Sequence, residues 1–251
     1  MRNRRQKKRI LRRINFIITI VIVLCTIQIL SNKYNRSIES KRVQAIKEKE
    51  TISENNKQQT LKQSLLLVNR DNKLDEHYLP NDLTVPNIRF LGNSNLEVRR
   101  LRRVVSGALE NLFQEAKNEN IILLGVSGYR NYHYQVNVYN NSVYRNGQQH
   151  ADKYVAQPGT SEHQTGLAMD IVSTEYTNLD ENFVNTRAYK WLKENCYKYG
   201  FIIRYPKEKE DITGYNFEPW HIRYVGIEAA TEIMNKGITL EEYLQEGNCN
   251  K

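Results

Sequence analysis

Two short stretches of the sequence contain side chains that together could form a catalytic metal site. The first stretch places His163 seven residues before Asp170, and the second places Glu218 three residues before His221. Two histidines and one carboxylate are typical ligands of catalytic zinc, in which a fourth coordination position stays open for water. A further carboxylate beside that position can take the proton of the water. The spacing therefore indicates a hydrolase with zinc (Zn2+) as its cofactor.

Asp170 has a second interpretation that needs no metal ion. It lies in the apolar segment 167–172, whose alternation is typical of a β-strand. A carboxylate among apolar side chains needs a partner, which is either a metal ion or an arginine. Arg130 and Arg204 are the candidates for such an arginine. On the residues alone, both interpretations of Asp170 stay open.

The elements that must position these residues mix helices and strands without regular alternation. Apolar periodicity predicts helices over 96–117, 132–144, 187–199 and 226–235, and a short last helix capped by Thr239. Shorter apolar runs predict strands over 121–126, 167–172, 201–204 and 220–225. Extended or loop structure is expected over 65–90, 147–159 and 206–213. This mixture predicts an α+β fold with a small antiparallel sheet flanked by helices.

The first thirty residues contain a basic segment followed by an apolar one. Residues 1–13 carry eight Lys and Arg and no acidic residue, and residues 14–30 carry no charge. The apolar length is close to the roughly 17–25 residues that span a bilayer, and the basic flank predicts a cytoplasmic N-terminus. No small-residue cleavage site follows Leu30. We therefore expect a single-pass signal-anchor rather than a cleaved signal peptide, with the later residues outside the cell.

The charge of the chain is concentrated in that basic segment. The formal net charge is +9, and removing the eight basic residues of 1–13 leaves +1 for the remainder. This near-neutral remainder predicts that the protein does not bind nucleic acid. Residues 31–62 are polar and charged, and are predicted to form a partly helical or disordered stalk. Residues 63–251 then form the catalytic domain.

The three cysteines do not have the spacing of metal ligands. Cys25 lies in the predicted membrane segment, so the external domain could form at most one disulfide, between Cys196 and Cys249. A domain of this size can bury enough core to be stable without such a bond, and we do not expect it.

Four motifs of the chain resemble the VanY-type D-alanyl-D-alanine carboxypeptidases, which belong to the LAS superfamily of zinc peptidases with the Hedgehog-type fold. The motifs follow the family's order, and the resemblance covers about residues 65–245. They are LLGVSGYRNYHYQ (123–135), PGTSEHQTGLAMDI (158–171), YGFIIRYP (199–206) and GYNFEPWHIRYVG (214–226). Asn131 and Met169 depart from the residues that are common in the family, but neither has a role in the inferred chemistry.

The resemblance implies a role for each of the polar residues in these motifs. It implies that His163, Asp170 and His221 bind zinc, and that Glu218 is the general base. These four residues are all present, which disfavours a non-catalytic module that only binds the cell wall.

The resemblance also implies that Arg130 and Gln135 hold the terminal carboxylate of the substrate. A guanidinium binds a carboxylate through two hydrogen bonds, and Arg130 could also stabilise the oxyanion as the amide is attacked. Ser161, two residues before the first ligand, is a candidate hydrogen-bond donor to the substrate.

The implied protein is an extracellular D,D-carboxypeptidase of a bacterial cell membrane. It would remove the terminal D-alanine from peptidoglycan stem peptides on the cell-wall side, and we expect a monomer. The alternatives with the same chemistry are an L,D-carboxypeptidase, a D,D-dipeptidase and a peptidoglycan endopeptidase. The length of the peptide that is cleaved would distinguish them.

Overall fold

The computed structural model describes the backbone of residues 2–249 and the side chains of residues 11–12 and 14–247. Most side chains of the basic segment 1–13 and the side chain of Cys249 therefore lie outside the described residues. Cys196 is a buried free thiol. The chain divides into two compact units, Met1–Thr60 and Leu61–Lys251.

The first unit consists of one long helix. Helix α1 (Arg2–Ser64) runs through it without a break, so the predicted stalk is helical over its described length. The apolar side chains between Ile14 and Leu30 are exposed to the surroundings. Of the helices in the described part of the chain, one has the length and apolar composition of a membrane span, and its apolar window lies near the N-terminus.

The second unit contains two antiparallel sheets and a set of helices. The strands are β1 (Leu83–Thr84), β2 (Leu101–Arg102), β3 (Leu123–Ser127), β4 (Ala168–Ser173), β5 (Phe201–Tyr205) and β6 (Glu218–Tyr224). The helices are α2 (Arg103–Asn118), α3 (Tyr132–Asn146), α4 (Gln148–Tyr154), α5 (Arg187–Asn195), α6 (Glu210–Thr213), α7 (Ile227–Lys236) and α8 (Leu240–Cys249). Strands β1 and β2 form a small ribbon, and the main sheet has the order β3-β4-β6-β5. The predicted α+β architecture with a small antiparallel sheet is confirmed.

The alternation of side chains along β5 shows how the main sheet separates two cores. Phe201 and Ile203 join the larger core, which contains the apolar faces of α2 and α5. Ile202 faces the other way and packs with residues of α7 and α8, among them Ile233 and Leu240. Successive residues of a strand point to opposite faces, so the side chain of Arg204 shares the face of Ile202.

Three predicted elements differ from the observed ones. The helix predicted over 96–117 begins only at Arg103, because Leu101 is fully buried and pairs with β1 in the small ribbon. The loop predicted over 147–159 contains helix α4, whose Ala151 is buried and whose Asp152 accepts hydrogen bonds from Tyr139 and Gln148. In both places a tertiary contact outweighs the local pattern. The segment predicted as a turn over 206–213 likewise ends in the short helix α6.

The predicted cap of the last helix is confirmed. The Thr239 hydroxyl accepts a hydrogen bond from the Glu242 amide at 3.1 Å, and the Glu242 carboxylate accepts one from the Thr239 amide at 2.8 Å. This reciprocal pair is a capping box, which satisfies two amides that the helix itself leaves unpaired.

Candidate metal centre and its pocket

Strand pairing places two of the predicted ligands side by side. Asp170 of β4 is directly opposite His221 of β6 in the antiparallel register. Residues that face each other in this way have β-carbons about 4.5–5.5 Å apart on the same face of the sheet. The fold thus brings together two residues that are far apart in the sequence.

His163 reaches the same place from a 3-10 helix, Glu162–Thr165, that precedes β4. Gly166 ends this helix with a φ of +67°, in the left-handed region that favours glycine. A β-carbon at this position would lie 2.8 Å from a methyl carbon of Leu83. The tight turn between the helix and β4 therefore depends on this glycine, and it sets the distance from His163 to Asp170.

The three side chains form a buried cluster with the spacing of a metal site. Their ligand atoms lie within 4.8 Å of one another. His163 Nε2 is 3.4 Å from Asp170 Oδ2, and His221 Nδ1 is 3.1 Å from Asp170 Oδ1. Ligands about 2.0–2.1 Å from a tetrahedral zinc ion are about 3.3 Å from one another. The donor set and its spacing therefore fit a zinc ion.

A backbone hydrogen bond fixes the orientation of His163. Its Nδ1 lies 2.6 Å from the carbonyl oxygen of Gly128, and a carbonyl can only accept. Nδ1 therefore carries the proton, and the lone pair of Nε2 points to Asp170. Metal-binding histidines commonly donate their second ring nitrogen in this way, which holds both the tautomer and the ring orientation.

Arg130 also approaches Asp170, so part of the metal-free interpretation holds. Its guanidinium nitrogen is 3.6 Å from Asp170 Oδ2, which is an ion pair but longer than a hydrogen bond. Its Nε is buried and has no hydrogen-bond partner among the described residues. The other arginine considered for this role, Arg204, pairs with Glu162 and Glu241 instead. Arg130 thus retains donors for another group in the pocket.

An irregularity in the sheet places Glu218 beside His221. The pairing of β5 with β6 shifts between Ile203, opposite Ile222, and Tyr205, opposite Glu218. Such an irregularity redirects side chains, and residues three apart in a regular strand would face opposite ways. As a result, the Glu218 carboxylate lies 3.6 Å from His221 Nδ1. Glu218 is therefore next to the candidate metal position without being one of its three closest ligands.

All the predicted site residues line one pocket with a cavity volume of about 180 Å³. They are Arg130, Gln135, Ser161, His163, Asp170, Glu218 and His221. Gln135 is almost fully buried, and its amide nitrogen donates to the carbonyl of Ala156 at 2.7 Å. Its amide oxygen has no hydrogen-bond partner among the described residues. The fold therefore collects in one cavity residues that span almost a hundred positions of the chain.

Several wall residues of this pocket were not predicted as site residues. Tyr154, Leu179 and Tyr215 line it. Tyr205 lines it as well, and its ring lies 5.0 Å from that of His221. The aromatic content of the third and fourth motifs was the available signal, but an aromatic residue in a strand is more often part of a core than of a pocket wall.

Burial and neighbouring charges keep His163 neutral and Asp170 ionised. Burial lowers the pKa of the His163 imidazole to about 4, and the nearby Arg130 acts in the same direction. Burial alone would raise the pKa of Asp170, but the two histidines outweigh it and hold this pKa well below its usual range. A neutral imidazole and an ionised carboxylate are the forms that bind a metal ion.

Glu218 and His221 have pKa values that are shifted upwards by the protein groups alone. Burial raises the pKa of Glu218 to about 7, although the positive charge of His221 opposes this shift. Burial would lower the pKa of His221, but the nearby carboxylates of Asp170, Glu162 and Glu218 raise it to about 9. A metal ion at Nδ1 of His221 therefore competes with a proton. Glu218 titrates near neutral pH, where a general base is most effective.

Behind His221 lies a buried ion network that the sequence did not reveal. Glu162 Oε1 accepts hydrogen bonds from Arg204 at 2.7 Å and from Arg223 at 2.6 Å. Arg204 also forms two hydrogen bonds to Glu241 of α8, at 2.7 and 2.9 Å. All four side chains are almost completely buried. The only signal in the sequence was an arginine within each of two apolar strands.

Comparison with known proteins identifies the family that this chain resembles. The family model described as "VanY: D-alanyl-D-alanine carboxypeptidase" matches residues 98–227. The putative carboxypeptidase YodJ of Bacillus subtilis is 48% identical over 183 residues, which cover 72% of this chain and 67% of that protein. A D-alanyl-D-alanine carboxypeptidase of Enterococcus faecalis is 40% identical over 191 residues, covering 72% and 65%. The chain thus spans about two thirds of the length of these relatives.

Solved structures show the same similarity. The LdcB LD-carboxypeptidase, whose structure addresses peptidoglycan recognition, has a TM-score of 0.69 at 48% identity, covering 72% of this chain and 86% of that one. A mutant of the vancomycin-resistance D,D-pentapeptidase VanY, in complex with Zn(II), has a TM-score of 0.61 at 39% identity, covering 72% and 99%. At these identities the similarity extends beyond the fold alone.

Proposed function

The chain belongs to the VanY family of D-alanyl-D-alanine carboxypeptidases, and on that premise we propose that it is a zinc-dependent carboxypeptidase that removes the terminal D-alanine from peptidoglycan stem peptides. One observation carries the proposal above all others. A single pocket combines three convergent metal-ligand atoms, a glutamate whose pKa is raised to about 7, and an arginine with a free donor.

His163, Asp170 and His221 would hold the zinc ion. Support comes from their spacing, from the donor set, and from the Zn(II) in the similar VanY structure. When bound, zinc polarises the scissile carbonyl and lowers the pKa of a water molecule to about 7.

Glu218 would act as the general base. It lies 3.6 Å from His221 Nδ1, so its carboxylate is within reach of a water molecule beside the three ligands. Its raised pKa lets it accept the proton of the attacking water near pH 7. The same carboxylic acid can then deliver that proton to the nitrogen of the departing D-alanine.

Arg130 would bind the terminal carboxylate of the peptide, with the Ser161 hydroxyl and the second Nε2 hydrogen of Gln135 donating further hydrogen bonds. The two guanidinium nitrogens of an arginine match the two oxygens of a carboxylate, and such charge-assisted pairs are about twice as strong as neutral ones. An internal peptide bond offers no free carboxylate. This clamp therefore favours an exopeptidase over an endopeptidase.

The identity of the residue before the terminal D-alanine separates two candidate substrates. The family model and the VanY structure favour the D,D bond of a pentapeptide. The similarity to LdcB, at 48% identity and a TM-score of 0.69, favours the L,D bond of a tetrapeptide as a second candidate. The two candidates share the metal centre, the base and the clamp, and differ only in the pocket for the preceding residue.

The N-terminal helix would anchor the enzyme in the cell membrane. Support comes from the apolar window of α1 and from the basic residues that precede it in the sequence. In this arrangement the catalytic domain works on the cell-wall side.

Defined muropeptides test the proposal directly. The full-length protein, purified in detergent, is incubated with a stem pentapeptide, a stem tetrapeptide and the free D-Ala-D-Ala dipeptide, each with and without a chelator. We expect the loss of one D-alanine from the pentapeptide or the tetrapeptide, detected by mass, and no loss with the chelator present. Release from neither peptide would refute the proposed function, and cleavage of the dipeptide alone would identify a dipeptidase.

A further inference from the structure

Glu162 is an almost fully buried residue in the wall of the pocket, next to His221. One of its carboxylate oxygens, Oε1, accepts hydrogen bonds from both Arg204 and Arg223. The other oxygen, Oε2, is buried and has no hydrogen-bond partner among the described residues. It faces His221 Nε2 across 3.6 Å, and that nitrogen also lacks a hydrogen-bond partner among them. Two unsatisfied buried atoms of opposite character therefore point at each other.

The orientation of His221 makes this pair meaningful. Its Nδ1 is the nitrogen that faces the candidate metal position, because it lies 3.1 Å from Asp170. Its Nε2 therefore points away from that position, and the carboxylate oxygen that faces it among the described residues is Glu162 Oε2. If Nε2 carries the proton, the lone pair of Nδ1 is available to a metal ion. With a metal ion at Nδ1, a carboxylate, a histidine and the metal would follow one another, as is common at metal sites in proteins.

We propose that Glu162 is a positioning residue that accepts a hydrogen bond from the Nε2–H group of His221 and so holds this histidine in the tautomer that binds zinc through Nδ1. The proposal rests on the proposed function for the identity of the ion. Glu162 does not touch the substrate or the metal. It acts only through His221.

The two arginines explain why a buried carboxylate can do this. A charged carboxylate is stable in the interior only when it is paired and hydrogen-bonded. Arg204 and Arg223 supply that pairing at one oxygen and leave the second oxygen for His221. Arg223 is itself fixed by hydrogen bonds to the carbonyls of Ser64 and Leu66, at 2.9 and 2.7 Å. The two arginines therefore fix the position of the Glu162 carboxylate.

The two candidate histidine ligands differ in this respect. His163 is oriented by a neutral acceptor, the carbonyl of Gly128. His221 faces an ionised acceptor, which increases the basicity of the imidazole as well as fixing its orientation. We therefore expect the affinity for zinc to depend more on Glu162 than on any other residue that does not contact the ion.

Zinc affinity tests this role, with a matched control from the same network. Full-length wild-type protein and the variants Glu162→Gln and Glu241→Gln are titrated with Zn2+ against a competing chelator. Both variants neutralise one buried carboxylate that pairs with Arg204, but only Glu162 faces His221. Loss of a carboxylate behind a metal ligand typically weakens binding about 10–100-fold. We expect this loss for Glu162→Gln and less than about a threefold change for Glu241→Gln.

Two results of the titration would overturn the inference. Wild-type affinity in Glu162→Gln would show that the carboxylate does not act on His221. An equal loss in Glu241→Gln would show that only the integrity of the ion network matters. Failure of the wild-type protein to bind zinc would instead refute the proposed function, so the two failures are distinguishable.

A second measurement needs no variant and decides the matter if Glu162→Gln does not fold. Nitrogen-15 NMR of the zinc-loaded wild-type protein reports which ring nitrogen of His221 carries a proton. We expect a protonated Nε2 and a metal-bound Nδ1. A metal-bound Nε2 would overturn the inference.

Discussion

Two glutamates flank His221, and their surroundings shift their pKa values in opposite directions. Burial raises the pKa of both carboxyl groups. At Glu162 the two adjacent arginines outweigh burial and hold the pKa far below its usual range. At Glu218 burial prevails, and the pKa rises to about 7. The two residues lie on opposite sides of one imidazole, 3.6 Å from its Nε2 and Nδ1 respectively.

The difference shows what decides whether a buried acid is fixed or reactive. Glu162 belongs to a closed network, in which arginines compensate the charge, so it stays ionised and can serve as a permanent acceptor. Glu218 belongs to an open site, in which no arginine pairs with it among the described residues, so it can gain and lose a proton near pH 7. Pairs of acids whose pKa values are driven apart in this way commonly mark the division of roles in an active site.

The largest effect is expected from substitution of Glu218, the proposed proton acceptor. Glu218→Gln keeps the shape of the side chain but cannot accept a proton from water. General base catalysis contributes about 10²–10⁴-fold to the rate, so we expect kcat to fall by that factor. Measurement of D-alanine release under saturating peptide gives this value.

Zinc binding is the control for Glu218→Gln. Because Glu218 is not among the three closest ligand residues, the variant should bind zinc within a few-fold of the wild-type affinity. Wild-type activity in a zinc-loaded Glu218→Gln variant would remove Glu218 from the mechanism. Glu218 and Glu162 would then differ in pKa but not in the roles proposed for them.

Substitutions in the closed network around Glu162 should lower the free energy of unfolding more than substitutions in the open site around Glu218. Arg204→Met removes one partner of a fully buried ion pair and leaves Glu162 and Glu241 less compensated. Breaking such a pair from one side costs about 3–5 kcal/mol in the free energy of unfolding. Denaturant unfolding followed by tryptophan fluorescence measures this loss.

The same substitution at an exposed ion pair is the control. Arg187 pairs with Glu175 at the surface, where its side chain is 68% exposed. Exposed pairs contribute about 0–1 kcal/mol, so Arg187→Met should have little effect. Equal losses in both variants would show that burial of the network does not determine its contribution.

Prediction from sequence was most complete where residue type alone implies chemistry. His163, Asp170 and His221 were identified from the ligand types and from the family resemblance, and the structure brings them together. The alternation of 167–172 also predicted the strand that carries Asp170. Each of these features can be recognised within one short motif, although the ligand set itself is brought together only by strand pairing.

The network behind His221 could not be predicted, because it depends on pairing between distant elements. Arg204 and Arg223 come from two strands, Glu162 from a 3-10 helix, and Glu241 from α8. An arginine in an apolar strand signals a buried partner, but the sequence does not identify it. The position of Glu218 beside His221 likewise depends on the shift between β5 and β6, which no spacing rule predicts.

A smaller effect is expected from substitution of Arg130, which lines the pocket and whose Nε has no hydrogen-bond partner among the described residues. Arg130→Gln removes the proposed clamp for the terminal carboxylate. Hydrogen bonds to charged groups contribute about 1.5–3 kcal/mol, which corresponds to a loss of about 10–150-fold in kcat/KM. Steady-state kinetics with the free-acid peptide measures this loss.

An amidated peptide shows whether Arg130 acts through the carboxylate. The wild-type enzyme should discriminate against a substrate whose C-terminus is an amide, and Arg130→Gln should lose most of that discrimination. If the variant discriminates as strongly as the wild type, Arg130 contacts another group, such as Asp170 at 3.6 Å.

The smallest expected effect is a dependence of kcat/KM on pH that arises from the protonation of Glu218 alone. A general base must be deprotonated to act, so kcat/KM should fall about tenfold per pH unit below the pKa of Glu218. The protein groups set this pKa at about 7, compared with 4.5 for an ordinary glutamate. A bound cation favours the ionised form and lowers the value, so the midpoint of the acid limb should lie between these two pH values. Initial rates at low peptide concentration across pH 4–8 give the profile.

Loss of the metal ion at low pH would produce a similar fall, because the histidine ligands also take up protons. Zinc occupancy is therefore measured across the same pH range, and the acid limb is assigned to Glu218 only where occupancy stays constant. The residual activity of Glu218→Gln should lack the limb, because that variant has no carboxylate to protonate at this position. Glu162 should not contribute to the profile, since its arginine partners keep it ionised throughout the range. An acid limb that persists in Glu218→Gln at constant zinc occupancy would contradict the division of roles between the two glutamates.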